Sequence, residues 1–311
     1  MALNEIESAI NKLKALDLST YPTEEIKQLF RAFGKTVAID YRLHPGKKVI
    51  RARPKDDQWP YLTRATHSFK PQEFNKTYQR ASTPNQTMFY GSIIPQELDK
   101  GDLDNERVVV TTEASPWIRA KETCGVRRIA YSRWEVIKDI KMIAVLQNKK
   151  FYDSSSHTRK VIADFEKALD QHPELRESSL MVSEYIASEF GKEEIPNDYH
   201  YLISALYAEV ATRHGFDGVL YPSVRMGGQG FNIAITPNAA NSKLRLVGAG
   251  ECTIYKQAFG NSVIDNNTLA IVDNENEPFQ YKQMEPPYNA NEKECLAQLG
   301  LNTIEELCTN Q

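Results

Sequence analysis

The sequence has no uncharged apolar run near the ~20 residues that a membrane-spanning helix needs, and its opening stretch, MALNEIESAINKLKAL, is broken by charge every few positions. A membrane span, a secretory signal and a transit peptide are therefore not expected, and the cytoplasm is the expected compartment. A basic surplus is also lacking: 38 Lys and Arg stand against 41 Asp and Glu, a net charge of −3, so no nucleic acid is expected as a direct partner. Cysteine is sparse. Cys124, Cys252, Cys295 and Cys308 form no CxxC pair and have no histidine at metal spacing, which speaks against a zinc site and a disulfide framework; all four are expected to be free thiols. The six histidines are dispersed, and His44, His157, His172 and His214 sit beside Pro, Ser or Gly in contexts that suit a solvated imidazole. GxxxxGK[ST], HExxH, GxSxG and DFG are all missing.

What is present is an ordinary globular composition, 41% hydrophobic and 25% charged in 311 residues, enough for one large domain with appendages. Ile6, Ile10, Leu13 and Leu16 share one helical face, and Ile26, Leu29, Phe30 and Phe33 share another after the break at STYP, so residues 1–35 predict a helical hairpin. From KTVAIDYRL onward short β-like runs alternate with Pro, Asn and Gly clusters to about residue 147, among them KKVIRARP, TMFYGSII, ERVVVTTEAS and MIAVLQ. Residues 157–214 are periodic at three-to-four spacing and predict three helices. Strands return in DGVLYPS, GFNIAITP, KLRLVGAGECTIYK and TLAIVD, and NEKECLAQLGLNTIEEL predicts a closing helix. The pattern is α+β: a split sheet with helices inserted in its middle. The expected division is a helical extension over 1–40, a main domain over 45–256 and a C-terminal strand and helix over 257–311.

A polar set lies on or beside the strands. Arg51 and Arg53 are two apart in VIRARP and so face one side of a strand. QRASTPNQTMFYGS places Arg80 at a strand-to-loop junction and Tyr90 beyond a turn; an arginine fork suits phosphate or carboxylate, and a tyrosine ring can stack on a heterocycle. Val108–Val110 reads as a buried strand that delivers Glu113 at its end, with Glu122 in RAKETCG as its competitor. YPSVRMGGQGFNIAI holds Ser223 and three glycines between two apolar runs, either a hairpin tip or a backbone kept bare for a ligand.

In this order, VIRAR, QRASTPNQTMFYGS, TTEAS and DGVLYPSVRMGGQGFNIAI resemble the RES-domain family over about residues 45–256. The helical hairpin is similar to the extension ahead of that domain in longer members. The resemblance implies an ADP-ribosyltransferase-like split-sheet core and an activity that degrades NAD, releasing nicotinamide by hydrolysis or phosphorolysis. It also implies a toxin restrained by a helix-turn-helix antitoxin. By motif, Arg51, Glu113 and Ser223 carry catalysis, and Arg51, Arg53, Arg80, Tyr90 and Ser223 hold NAD, with Arg51 and Arg53 interchangeable in register. No metal is required. The chain departs from the compact pattern in the charged stretch PQELDKGDLDNER and in the extra helices before Ser223. A transferase moving ADP-ribose onto a protein and a non-enzymatic nucleotide- or partner-binding regulator remain alternatives. A homo-oligomer is open.

Overall fold

The computed structural model describes residues 3–55, 61–95, 98–103 and 105–309. In chain order its elements begin with α1 (Leu3–Ala15), α2 (Thr23–Arg31), β1 (Ile39–Leu43), β2 (Lys48–Pro54), α3 (Arg64–His67) and β3 (Phe89–Ile93). The middle contains α4 (Glu106–Ala114), α5 (Pro116–Arg119), β4 (Gly125–Val136), β5 (Ile140–Ala144), α6 (Ser156–Asp170), α7 (Arg176–Phe190) and α8 (Leu202–Arg213). The last third has β6 (Gly218–Pro222), β7 (Phe231–Ile235), α9 (Pro237–Lys243), β8 (Leu244–Lys256), β9 (Ser262–Ile271), β10 (Lys282–Gln283) and α10 (Glu292–Gln298). The architecture is mixed α+β with mostly antiparallel pairing. No helix among the described residues is long and apolar enough to cross a membrane.

Contacts divide the chain into two compact units, each assembled from three separate stretches. The first comprises Met1–Pro45, Phe69–Asp104 and Lys138–Lys243; the second comprises Gly46–Ser68, Asn105–Ile137 and Leu244–Gln311.

In the first unit the strand order is β1-β5-β6-β7-β3, antiparallel except for the β5–β6 pair. Both β6 and β7 are buried along their whole length, which is why they read as continuous apolar runs. The N-terminal hairpin forms as its periodicity predicts. Ile6, Ile10 and Leu13 of α1 and Ile26 and Phe30 of α2 join a core with Ile186, Phe190, Leu202 and Leu206 of α7 and α8. Each such side chain contributes roughly 1.5–3 kcal/mol by leaving water, so the hairpin is an integral wall of this unit.

The second unit has the order β2-β4-β8-β9-β10, antiparallel throughout. Val110 of α4 packs with Ile50, Ile129, Tyr131, Cys252 and Ile254 over one sheet face, and α10, started by an Asn291–Glu294 capping box, buries Cys295 and Leu296 against Tyr255.

Two expectations are corrected. The run from Val108 to Glu113 is helical, in α4, not a strand. Asn105 caps it by accepting from the Arg107 amide at 3.0 Å, and the Thr111 and Thr112 hydroxyls bond back to the carbonyls of Arg107 and Val108 at 2.6 and 2.9 Å. Burial of Val109 and Val110 on a neighbouring strand outweighs their β preference, which is worth only about 1 kcal/mol or less per residue. The second correction concerns the thiols: Cys124 and Cys308 are joined in a disulfide across 184 residues of sequence, and only Cys252 and Cys295 are free.

Candidate functional site

The second unit carries Arg51, Arg53 and Glu113. β2 is locked into the ladder with β4, Arg51 opposite Ser132 and Arg53 opposite Ala130. Ile50 and Ala52 face the core under α4, so alternation turns Arg51 and Arg53 together to the other face. There the Arg53 guanidinium donates to the carbonyls of Thr66 and Ser68, both at 3.0 Å, and lies 6.0 Å from the Tyr61 ring centre. It fastens the segment around α3 to the strand.

His67, the last residue of α3, is a buried group that the sequence did not single out. It is 4% exposed, with Nε2 at 3.1 Å from both the Tyr61 carbonyl and the Tyr281 hydroxyl. The carbonyl can only accept, so Nε2 carries the proton. Burial, helped by the nearby charges of Arg53 and Arg51 and opposed by the bond to Tyr61, pushes its pKa down to about 4. The ring is neutral at pH 7 and structural in its contacts.

Glu113 is half-buried and follows Val110 by three residues and Val109 by four, which puts it on the inward stripe of α4. Arg119 holds this end of the helix by donating to the carbonyls of Thr112 and Glu113, at 2.6 and 3.1 Å. Its rigidity therefore comes from a helix end, not a strand end. Glu122 is exposed on the turn after α5. Within this unit, α4 covers the face of β2 opposite to the one from which Arg51 projects.

The first unit carries Arg80, Tyr90 and Ser223. Arg80 is only 7% exposed, and its two terminal nitrogens donate to the carbonyls of Phe190 and, at 2.9 Å, Lys192, while the group lies 5.3 Å from the Tyr201 ring centre. These carbonyls end α7, where a cation is favoured by the helix dipole. Tyr90, on β3, uses its hydroxyl to accept from the Ala81 amide at 3.1 Å and to pair with Ser82 Oγ at 2.8 Å; burial raises its pKa to about 12. Thr83 donates to the buried carboxylate of Glu209 at 2.7 Å, so the whole stretch around Arg80 is tied to α7 and α8.

Ser223 is fully buried at the mouth of the β6–β7 connection. Its amide donates to the Gly230 carbonyl, and its own carbonyl accepts from Met226 and Gly228. Gly227, Gly228 and Gly230 all have positive φ, 62°, 90° and 70°, which explains the glycines as conformational requirements of a tight loop. Gly228 has a second reason: a Cβ there would come within 2.8 Å of Phe151 and Ser154, and Ser154 Oγ donates to its carbonyl at 3.0 Å. The bare backbone at this point is met by the protein itself. His157 also departs from its expected solvated setting, being half-buried with Nε2 3.1 Å from the Tyr41 hydroxyl and its ring against Tyr41 and Phe231.

Of the six residues expected to form one site, Arg53 and Arg80 thus have their guanidinium groups on backbone carbonyls, and Tyr90 has its hydroxyl on a neighbouring loop. The chain matches no protein-family model and no curated protein.

Proposed function

We propose that this protein cleaves the nicotinamide–ribose bond of NAD in an ADP-ribosyltransferase-like core, and that Glu113 is the carboxylate on which the reaction turns. The order of the four motifs along the chain supports the reading, and Glu113 stands on a helix end that Arg119 holds through the Thr112 and Glu113 carbonyls, a fixed place for a carboxylate.

The chemistry suits this carboxylate. Nicotinamide departs as a neutral pyridine, so no general acid is needed, and a carboxylate on a fixed helix end stabilises the oxocarbenium-like ribose while accepting from a ribose hydroxyl.

The test is to incubate the full chain with NAD, with and without phosphate, and to separate nicotinamide, ADP-ribose and its phosphorylated form. Glu113→Gln should lower kcat on the order of 10²–10³-fold, the size expected for losing one preorganised charge, with the urea midpoint unchanged. No nicotinamide release by the wild type would reject the enzyme reading, and label appearing on protein would replace it by transfer. An unaltered rate in Glu113→Gln would reject the site.

A further inference from the structure

On the opposite face of the second unit's sheet from Arg51 lies a concave recess of about 370 Å³, within the range of small-molecule sites. Its origin is in the sequence VGAGE of β8. Gly248 stands opposite Arg133 on one side and Ile271 on the other; Gly250 stands opposite Tyr131 and Leu269. Two missing side chains in the middle strand thus cut a trough between walls supplied by β4 and β9.

Neither glycine has a positive φ, and although a Cβ on Gly250 would meet the Thr268 carbonyl oxygen at 3.1 Å, no backbone conformation calls for glycine at Gly248. Nor does packing require Gly248: a Cβ would find its nearest atoms at 3.5 Å, the Ala270 carbonyl oxygen, and 4.0 Å, Arg133 Cβ. Glycine inside a strand costs about 0.5–1 kcal/mol, and an open space above it marks close approach by something else.

The lining is apolar but its charge is one-sided: it includes Arg107 and Arg133 and no aspartate or glutamate among the described residues. Arg107 closes one end. Its guanidinium lies 4.5 Å from the Tyr131 ring centre and donates to Cys252 Sγ and Asn266 Oδ1, both at 2.9 Å, so its partners are neutral. The nearby carboxylates are occupied elsewhere, Glu251 by Lys55 and Asp265 by Asn267 and the Ala290 amide. Thr268 also lines the recess, and its buried hydroxyl has no hydrogen-bond partner. Tyr288, 69% exposed, flanks the Arg107 end, its carbonyl accepting from Asn266 at 3.2 Å, while the end at Gly248 is open between Ile271, 74% exposed, and the exposed Arg133.

We propose that this trough binds a narrow apolar monocarboxylate, its carboxylate on Arg107 and its chain lying over Gly250 and Gly248 between Tyr131 and Leu269. From residue 248 to 252 the strand spans about 13 Å, room for a chain of medium length. A cation held by neutral groups at the closed end of an apolar groove gains most from an anion with a hydrocarbon tail.

The experiment is calorimetric titration of the full chain with octanoate, octanol and octylamine. Octanoate should bind one saturable site, at least tenfold more tightly than octanol, with octylamine not binding. Gly248→Val should abolish octanoate binding at an unchanged urea midpoint, and Arg107→Gln should weaken it tenfold or more. Equal affinity for octanol, or undiminished binding in Gly248→Val, would overturn the proposal. So would a wild-type dimer in sedimentation that Gly248→Val dissociates without any octanoate binding, which would assign the trough to a second copy. The readout is binding alone and is independent of NAD cleavage.

Discussion

His67 and Arg80 show how single polar side chains in the interior set measurable properties. Burial and two arginines hold His67 neutral, with a folded-state pKa of about 4 against 6.5 in the unfolded chain. Between those values the unfolded chain binds a proton that the folded chain refuses, so stability is complete above pH 6.5 and falls as the pH drops toward 4. The loss should approach roughly 3 kcal/mol, and urea midpoints between pH 7 and pH 4.5 should show a slope that His67→Gln flattens. For Arg80, replacement by Met keeps the stem but leaves the Phe190 and Lys192 carbonyls without their donor. We expect a cost of about 2–4 kcal/mol in urea unfolding. Sequence could place Arg53 on a strand and Arg80 at a strand-to-loop junction, but not say that a carbonyl, not a phosphate, would meet them.

Elements differ in how plainly they are written. The hairpin of α1 and α2 and the three helices α6, α7 and α8 follow their apolar spacing because each packs one stripe on a core. α4 does not: three consecutive valines carry no helical stripe, and the cues that start and end it are Asn105 as N-cap and the Ser115–Pro116 pair that opens α5. In the connection from β6 to β7 the glycines were legible as a turn, yet the neighbour that fixes Gly228, Phe151, is over seventy residues away in sequence. Gly228→Ala should therefore lose more than the 1–2 kcal/mol of a left-handed backbone, because Phe151 and Ser154 must also move; Gly227→Ala, with open space around its Cβ, should lose only the backbone part. The difference between their urea midpoints isolates the packing contribution. The trough has a signal too, two glycines spaced by one residue inside an otherwise β-prone run, but local pattern does not distinguish it from ordinary strand.

At the scale of the whole molecule, α+β character was legible, whereas the units were not. Local patterns divide a chain into consecutive blocks, and here each unit gathers three stretches through pairings such as Val136 with Leu244, more than a hundred residues apart. The cysteine pair was hidden for the same reason, since spacing says nothing about which thiols meet in space. Cys124 sits beside a turn already held from several sides: Lys256 Nζ donates to the carbonyls of Ala120 and Thr123, and the Phe259 amide donates to that of Lys121. Cys308→Ser should lower stability by about 2–5 kcal/mol under oxidising conditions and make reductant without further effect.

The same bond closes most of the chain into a covalent ring. Phe259, 73% exposed in the turn between β8 and β9, is an accessible chymotrypsin site inside that ring. A cut there should leave a single band of full mass on a denaturing gel without reductant and two fragments with it, so the nicked protein stays one molecule wherever its thiols remain oxidised.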